Sequence, residues 1–183
     1  LKKSTQKNKY NMNIITPPTD NLVTLAQLKE HLVIDFSDDD TRLNLLLETT
    51  RDFLENQTNQ CLDSQMWEEK FPHFYSVTKL KKNPLQSLVV TYYDSDNALQ
   101  TLDTNDYLIT KTTHQSEVEA ITIYPNTYAR KDAVIFTYGC GYSSVPAVMQ
   151  QACLLLAASW NESLSMSSAA INRSFIIVIP GGC

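Results

Sequence analysis

Glycine is scarce in this chain, at only 4 of 183 residues. A Gly-rich loop that cradles phosphate groups needs several glycines close together, and the sequence contains no such motif. Long apolar runs are also missing: a helix that spans a bilayer needs about 20 consecutive apolar residues. The longest apolar segment, residues 152–158, is far shorter. We therefore expect neither a nucleotide-binding phosphate loop nor a membrane-spanning helix.

Metal-binding motifs are absent as well. The four cysteines, Cys61, Cys140, Cys153 and Cys183, include no C-x-x-C pair, and the three histidines lie far from them in the sequence. This spacing does not fit a zinc site. The N-terminal residues have no apolar core of the kind that a secretory signal contains. We therefore expect reduced thiols in a cytoplasmic product, with no metal and no cofactor.

Charge is sparse and unevenly distributed. The formal net charge is -5, with 15 Lys and Arg against 20 Asp and Glu. Residues 1–21 carry a net charge of +3, and the remaining chain carries -8. Residues 133–183 contain only two formal charges, on Glu162 and Arg173. Because soluble surfaces usually carry more charge, this stretch is either unusually buried or covered by a partner. The acidic balance argues against a protein whose main task is to grip phosphates.

The periodicity of apolar residues predicts three helices. The first begins at Thr24, because Thr24 and Gln27 have the spacing of a capping box. The second begins after Ser37 with a run of three aspartates, which suits the positive end of a helix dipole. The third begins near Pro146, because proline is tolerated in a first helical turn. The predicted bounds are residues 24–34, 38–59 and 145–163.

Between the second and third helices, the pattern changes to that of strands. β-Branched and aromatic residues recur over residues 65–140, interrupted by turn residues. The predicted strands are residues 65–71, 88–93, 98–102, 107–110, 118–124 and 133–138. The class is therefore α+β: a small helical bundle, with two N-terminal helices and one C-terminal helix, and an inserted antiparallel β region.

Both ends of the chain are expected to extend beyond this domain, which covers residues 22–165. Residues 1–21 are polar, so we expect a flexible arm. Residues 166–183 are expected to form a tail that contains a short β-prone run without charge. Such a run is an aggregation hazard if it stays exposed, so it is a candidate contact to another protein chain; packing on its own domain is the alternative. Its residues are Phe175, Ile176, Ile177, Val178 and Ile179.

No catalytic constellation is visible, because no nucleophile–base motif occurs. The aspartate run 38–40 could hold a divalent cation, although helix capping is the commoner role of such a run. Lys79, Lys81 and Lys82 lie near aromatic residues and could contact nucleic acid. The alternative is a solvated loop, in which lysines also deter pairing at a strand edge. We expect no enzymatic activity, and no catalytic, cofactor-binding or metal residues are assigned.

The order of segments along the chain resembles the bacteriophage head–tail connector (adaptor) proteins, in the longer subfamily that carries a β-insertion between its helices. The resemblance covers residues 22–165. The matching segments are LVTLAQLKEHL at 22–32, DDD at 38–40, FLENQT at 53–58, QMWE at 65–68, PLQSL at 84–88, VTYYD at 90–94, LQTL at 99–102, DY at 106–107, GY at 141–142, VP at 145–146 and ASWNE at 158–162.

The resemblance implies a structural virion protein rather than an enzyme. Such adaptors form a ring, of about twelve copies by analogy with portal symmetry, between the portal protein and a tail or stopper protein. DNA passes through the lumen without sequence-specific binding, and no membrane is involved. On this resemblance, the run Phe175–Ile179 is a candidate contact to the portal or to a neighbouring subunit. The implied location is the virion neck, after assembly in the host cytoplasm. A small nucleic-acid-binding phage protein, in which the arm and the Lys79–Lys82 loop act together, remains the alternative.

Overall fold

The computed structural model describes residues 11–112 and 115–174, and the chain divides into two compact units. The β unit contains residues 11–20 and Glu55–Ser144. The helical unit contains Asn21–Leu54 and residues 145–174. Helices therefore flank an inserted strand region in the sequence, and the predicted α+β class is confirmed.

The described residues form three α-helices: α1 (Leu25–Leu32), α2 (Asp40–Thr58) and α3 (Ala147–Ser174). The predicted capping box of α1 has formed. The backbone N–H of Gln27 donates to the Thr24 hydroxyl over 3.2 Å, and the backbone N–H of Thr24 donates to the Gln27 side chain over 2.8 Å. Because these bonds satisfy N–H groups that the helix leaves unpaired, they fix where α1 begins.

Helix α3 is longer than the sequence predicts. The serines after Glu162 indicate a helix end near residue 163, because serine has only modest helix propensity. The helix instead continues to Ser174, so the first half of the predicted tail is helical. Residues 147–179 contain no proline or glycine, so no residue of this stretch forces the helix to stop.

Part of the expected N-terminal arm is a strand. Residues Asn11–Thr16 form β1, which pairs antiparallel with β2 (Gln65–Phe71). The register shifts between Ile14 and Thr16. The expectation of a flexible arm over residues 1–21 therefore does not hold for β1. Its polar composition gave no sign of pairing, because the hydrogen-bond partners come from a strand some 50 residues later.

The strands of the described residues form two antiparallel sheets, of five strands in the order β1-β2-β8-β4-β5 and of three in the order β3-β7-β6. The other strands are β3 (Val77–Leu80), β4 (Leu85–Tyr93), β5 (Leu99–Thr101), β6 (Tyr107–Lys111), β7 (Ser116–Ala120) and β8 (Val134–Cys140). All six predicted strands occur, β2 with the predicted bounds and the other five with shifted ends. Strand β3 was not predicted, because four residues are too few for a clear alternation.

Both sheets contribute buried side chains to one hydrophobic core in the β unit. In β8, the central strand, Val134, Phe136 and Tyr138 alternate along one face and are buried there. Phe136 contacts Phe71 of β2 edge-on, with ring centroids 5.2 Å apart. All neighbours in both sheets are antiparallel, and short connections join β4 to β5 and β6 to β7.

The helical unit has its own core. Leu28 of α1, Leu43 and Leu47 of α2, and the smaller Cys153 and Ala157 of α3 are fully buried. The buried side chains are large on α1 and α2 and small on α3, and this combination allows close packing. No helix in the described part of the chain combines the length and apolar character needed to cross a bilayer.

Candidate interaction surfaces

The predicted contact run, Phe175, Ile176, Ile177, Val178 and Ile179, lies outside the described residues. The last described residue before the run is Ser174, where α3 ends. A role for this run in contacting a partner therefore stays a prediction.

The aspartate run 38–40 is engaged in contacts within the helical unit. Asp39 accepts a hydrogen bond from Arg42 over 2.9 Å, and this bond lowers the pKa of the Asp39 carboxyl. Asp40 forms an ion pair with Lys29 over 2.7 Å, which ties α2 to α1. Within residues 11–112 and 115–174, no group of three or more His, Cys, Asp or Glu could hold a metal ion. Asp39 and Asp40 therefore make contacts that favour the structural interpretation of the run, at the start of α2.

Two members of the lysine cluster have partners within the β unit. Lys79 on β3 forms an ion pair with Glu117 on β7, with 3.1 Å between nitrogen and oxygen. The ammonium of Lys82 lies 5.1 Å from the ring centroid of Trp67, a cation–π distance. Because these lysines are held by an acidic and an aromatic neighbour, the structure favours the solvated-edge interpretation over a nucleic-acid surface.

An apolar groove runs between α2 and α3 in the helical unit. It has a cavity volume of about 330 Å³. Leu45 on its wall is 63% exposed. Arg42 closes one end by donating to the Asn161 side chain over 2.6 Å. Phe53 and Trp160 join the two helices edge-on, with ring centroids 5.4 Å apart. The lining residues are Arg42, Leu45, Leu46, Thr49, Trp160 and Ser163. An apolar groove with a polar rim is typical of an interaction surface.

The outer face of α3 carries little charge. A stripe of exposed residues recurs at helical spacing, and its only charged member is Glu162. Val148 and Leu155 are 71% and 56% exposed. The stripe comprises Val148, Gln151, Leu155, Ser159 and Glu162. A solvated helix face usually bears several charges, so this face matches the expectation that a partner covers the charge-poor end of the chain.

The β unit also exposes apolar side chains, in the segment after β7. Ile123 is 97% exposed and Ile121 is 60% exposed. The next residue along the chain, Tyr124, stacks on the Phe74 ring with centroids 4.3 Å apart. Burial raises the pKa of the Tyr124 hydroxyl. The stacked rings anchor the start of a loop whose outer side chains remain available to a partner.

Comparison with known proteins identifies the chain's relatives. The profile of a family described as "Phage gp6-like head-tail connector protein" matches residues 22–177. The chain belongs to this family. It is therefore a structural protein of the phage neck, where head and tail are connected. A search of curated proteins gave no match.

Solved structures of related particles contain chains with this fold. A chain from the neck of an empty gene transfer agent (GTA) particle, computed with C6 symmetry, superposes with a TM-score of 0.71 at 16% identity, covering 94% of this chain and 87% of that chain. A chain from the neck of a native GTA particle, computed with C12 symmetry, gives 0.68 at 16% identity with the same coverages. A chain from the native GTA virion gives 0.69 at 18% identity, covering 82% and 84%. At these identities the likeness shows the fold alone.

Sequence reasoning found one of these surfaces and missed two. The scarcity of charge after residue 133 indicated residues 133–183 as a candidate assembly surface, and the outer face of α3 lies within this stretch. The α2–α3 groove was missed, although Leu45 and Trp160 were visible in the sequence, because only packing decides which apolar side chains stay exposed. The exposed loop after β7 was missed because residues 121–124 were predicted to belong to that strand, which ends at Ala120.

Proposed function

We propose that this connector chain assembles into a ring of about twelve copies at the virion neck, between the portal protein and a tail or stopper protein. DNA passes through the lumen of the ring. The observation that carries the proposal is the family match over residues 22–177. The shared fold with chains of particle necks computed with C6 and C12 symmetry supports it.

A ring subunit needs two different surfaces, one for each neighbour, and further surfaces for the components above and below it. The outer face of α3, the α2–α3 groove and the exposed loop after β7 are separate candidates for these contacts. Each combines exposed apolar side chains with little charge. Covering them in the assembly would remove apolar area from water, which favours association.

DNA passage requires a lumen that does not grip phosphates. Residues 22–183 carry a net charge of -8. An acidic body repels the DNA backbone, so DNA would slide through without sequence-specific binding. Within the β unit, Lys79 pairs with Glu117 and Lys82 lies over the Trp67 ring. These contacts weaken the case for a nucleic-acid-binding function.

The chain's role is to join other components, without catalysis. In this account it is made in the host cytoplasm and becomes part of the virion neck during assembly. The run Phe175–Ile179 contacts the portal or a neighbouring subunit by strand addition, in which main-chain hydrogen bonds provide affinity. Deletion of residues 174–183 tests this contact: we expect weakened docking onto the portal, and unchanged docking would contradict it.

The proposed function is tested by mass measurement and particle imaging of the purified chain with and without its portal. The account predicts a ring of about twelve copies that stacks coaxially on the portal. A chain that stays monomeric in both samples would overturn it.

A further inference from the structure

Strand β1 differs from the other sheet edges of the described residues. The two sheets end at β1, β5, β3 and β6. Strand β5 has only three residues, β3 carries Lys79 and β6 carries Lys111. Short length and lysine are both devices that prevent unwanted pairing at a sheet edge. Strand β1 is six residues long and has neither a charged residue nor a proline. It is therefore the edge most open to another strand.

The side chains of β1 are exposed on both faces of the sheet. Residues 13–16 are all exposed. Ile14 and Ile15, which are neighbours in the strand, are 44% and 50% exposed. A strand with little burial on either face depends on its main-chain bonds to β2. A further strand at the outer edge would satisfy the outward N–H and C=O groups and cover both isoleucines.

The chain itself carries a segment suited to this edge. Nine residues, 175–183, follow the end of α3. They begin with five apolar residues, and four of these are β-branched. β-Branched residues favour strands. The run nearly equals β1 in length, and neither segment bears a charge that would oppose pairing.

We propose that the outer edge of β1 accepts Phe175–Ile179 from a second copy of the chain, as a sixth strand of the sheet. The inference rests on the proposed ring and names one of its contacts. Donor and acceptor are different segments of one chain, so each copy both gives and receives a strand. Such a heterologous contact repeats from copy to copy and closes into a ring when the rotation permits.

Two variants each remove one half of the contact. Ile14→Lys/Ile15→Lys charges the acceptor edge, and deletion of residues 175–183 removes the donor. Both isoleucines are exposed, so the lysines leave the core of the β unit intact. The matched control is Leu99→Lys/Leu108→Lys, which adds the same charge at two other edge strands, where the leucines are 56% and 53% exposed. Circular dichroism and thermal unfolding verify that every variant is folded.

The masses of the assemblies are then measured alone and on the portal. The chain and the control variant are expected to form the same ring, whereas each half-contact variant loses it. Mixing the two half-contact variants is expected to give pairs, because only one intact donor and one intact acceptor remain. Normal rings from either half-contact variant would overturn the inference while leaving the proposed function standing. Failure of the unaltered chain to form a ring would overturn both.

Cross-linking identifies which molecule provides the added strand. Cysteines are introduced at Asn13 and Ile177, and the chain is mixed with a copy of different mass. The inference predicts disulfide-linked species that contain both masses. A disulfide link only within one chain would show that the tail covers its own β1 edge. Capture of Ile177→Cys only by cysteines placed on the portal would assign the tail to the portal. Either result would overturn the inference.

Discussion

The hydroxyl of Tyr138 donates a hydrogen bond to Oε1 of Glu69 over 2.5 Å, inside the core of the β unit. Both side chains are fully buried. Burial, together with the carboxyl of Glu69, raises the pKa of the Tyr138 hydroxyl, which keeps its proton. The same carboxyl oxygen accepts the backbone N–H of Lys81 over 3.0 Å. One carboxyl group therefore joins β2, β8 and the chain that follows β3.

Glu69→Ala is expected to destabilise the protein by about 3 kcal/mol, because the buried Tyr138 hydroxyl and the partly buried backbone N–H of Lys81 lose their acceptor. Glu68→Ala is the matched control, since it removes a partly exposed ion pair with Lys70 and should cost less than about 1 kcal/mol. Urea unfolding of both variants measures the difference. Equal losses of stability would contradict a special role for the buried carboxyl.

Val33→Gly is expected to stabilise the protein by about 1 kcal/mol. Val33 ends α1 in the left-handed conformation, with φ of 57°, and it is 91% exposed. A β-branched side chain is strained in this conformation, whereas glycine is not. Val33→Ala keeps a Cβ atom and should gain less. The account of strain fails if thermal unfolding finds Val33→Gly no more stable than Val33→Ala.

Gly141→Ala is expected to cost about 3 kcal/mol or more, through backbone strain and a steric clash. Gly141 has φ of +124°, and a Cβ there would lie 2.2 Å from the carbonyl oxygen of Asp63. Gly139→Ala should be milder, because its nearest obstacle is the Ser87 hydroxyl at 2.8 Å, a side chain that can rotate. The ranking is checked by chemical unfolding. Relief of the Gly139→Ala loss by Ser87→Ala would identify that contact as its cause.

Because of the Cys153 thiol, the free energy of unfolding is expected to change with pH in the alkaline range. Burial raises its pKa from 9.0 to about 11. A raised pKa favours the protonated thiol in the folded state, so this stabilisation is complete below pH 9 and is lost between pH 9 and about 11. The loss should be on the order of 2 kcal/mol. Cys153→Ala should flatten that part of the stability curve, and an unchanged curve would contradict the assignment.

Local chemistry made some elements predictable from the sequence. The capping box at Thr24 and Gln27 set the start of α1, because its groups lie three residues apart. The hairpin of β6 and β7 was predicted as a strand pair, although β7 ends at Ala120 rather than residue 124. In both cases the interacting residues are close in sequence, so their pattern is visible without the fold.

Other features depend on distant parts of the chain. Strand β1 exists through its pairing with β2, which no local pattern of residues 11–16 reveals. The end of α3 was misjudged because serine propensity is a weak guide when no proline or glycine stops the helix. For the interaction surfaces, charge scarcity pointed to α3. The exposure of Leu45 in the α2–α3 groove depended on how the helices pack.

We propose that this connector chain forms a neck ring on the portal. The most direct test of this proposal is electron microscopy of the purified chain bound to its portal, with the copy number counted in end-on views. The account predicts a closed ring of about twelve subunits, coaxial with the portal. Single copies scattered on the portal, or no binding at all, would contradict it.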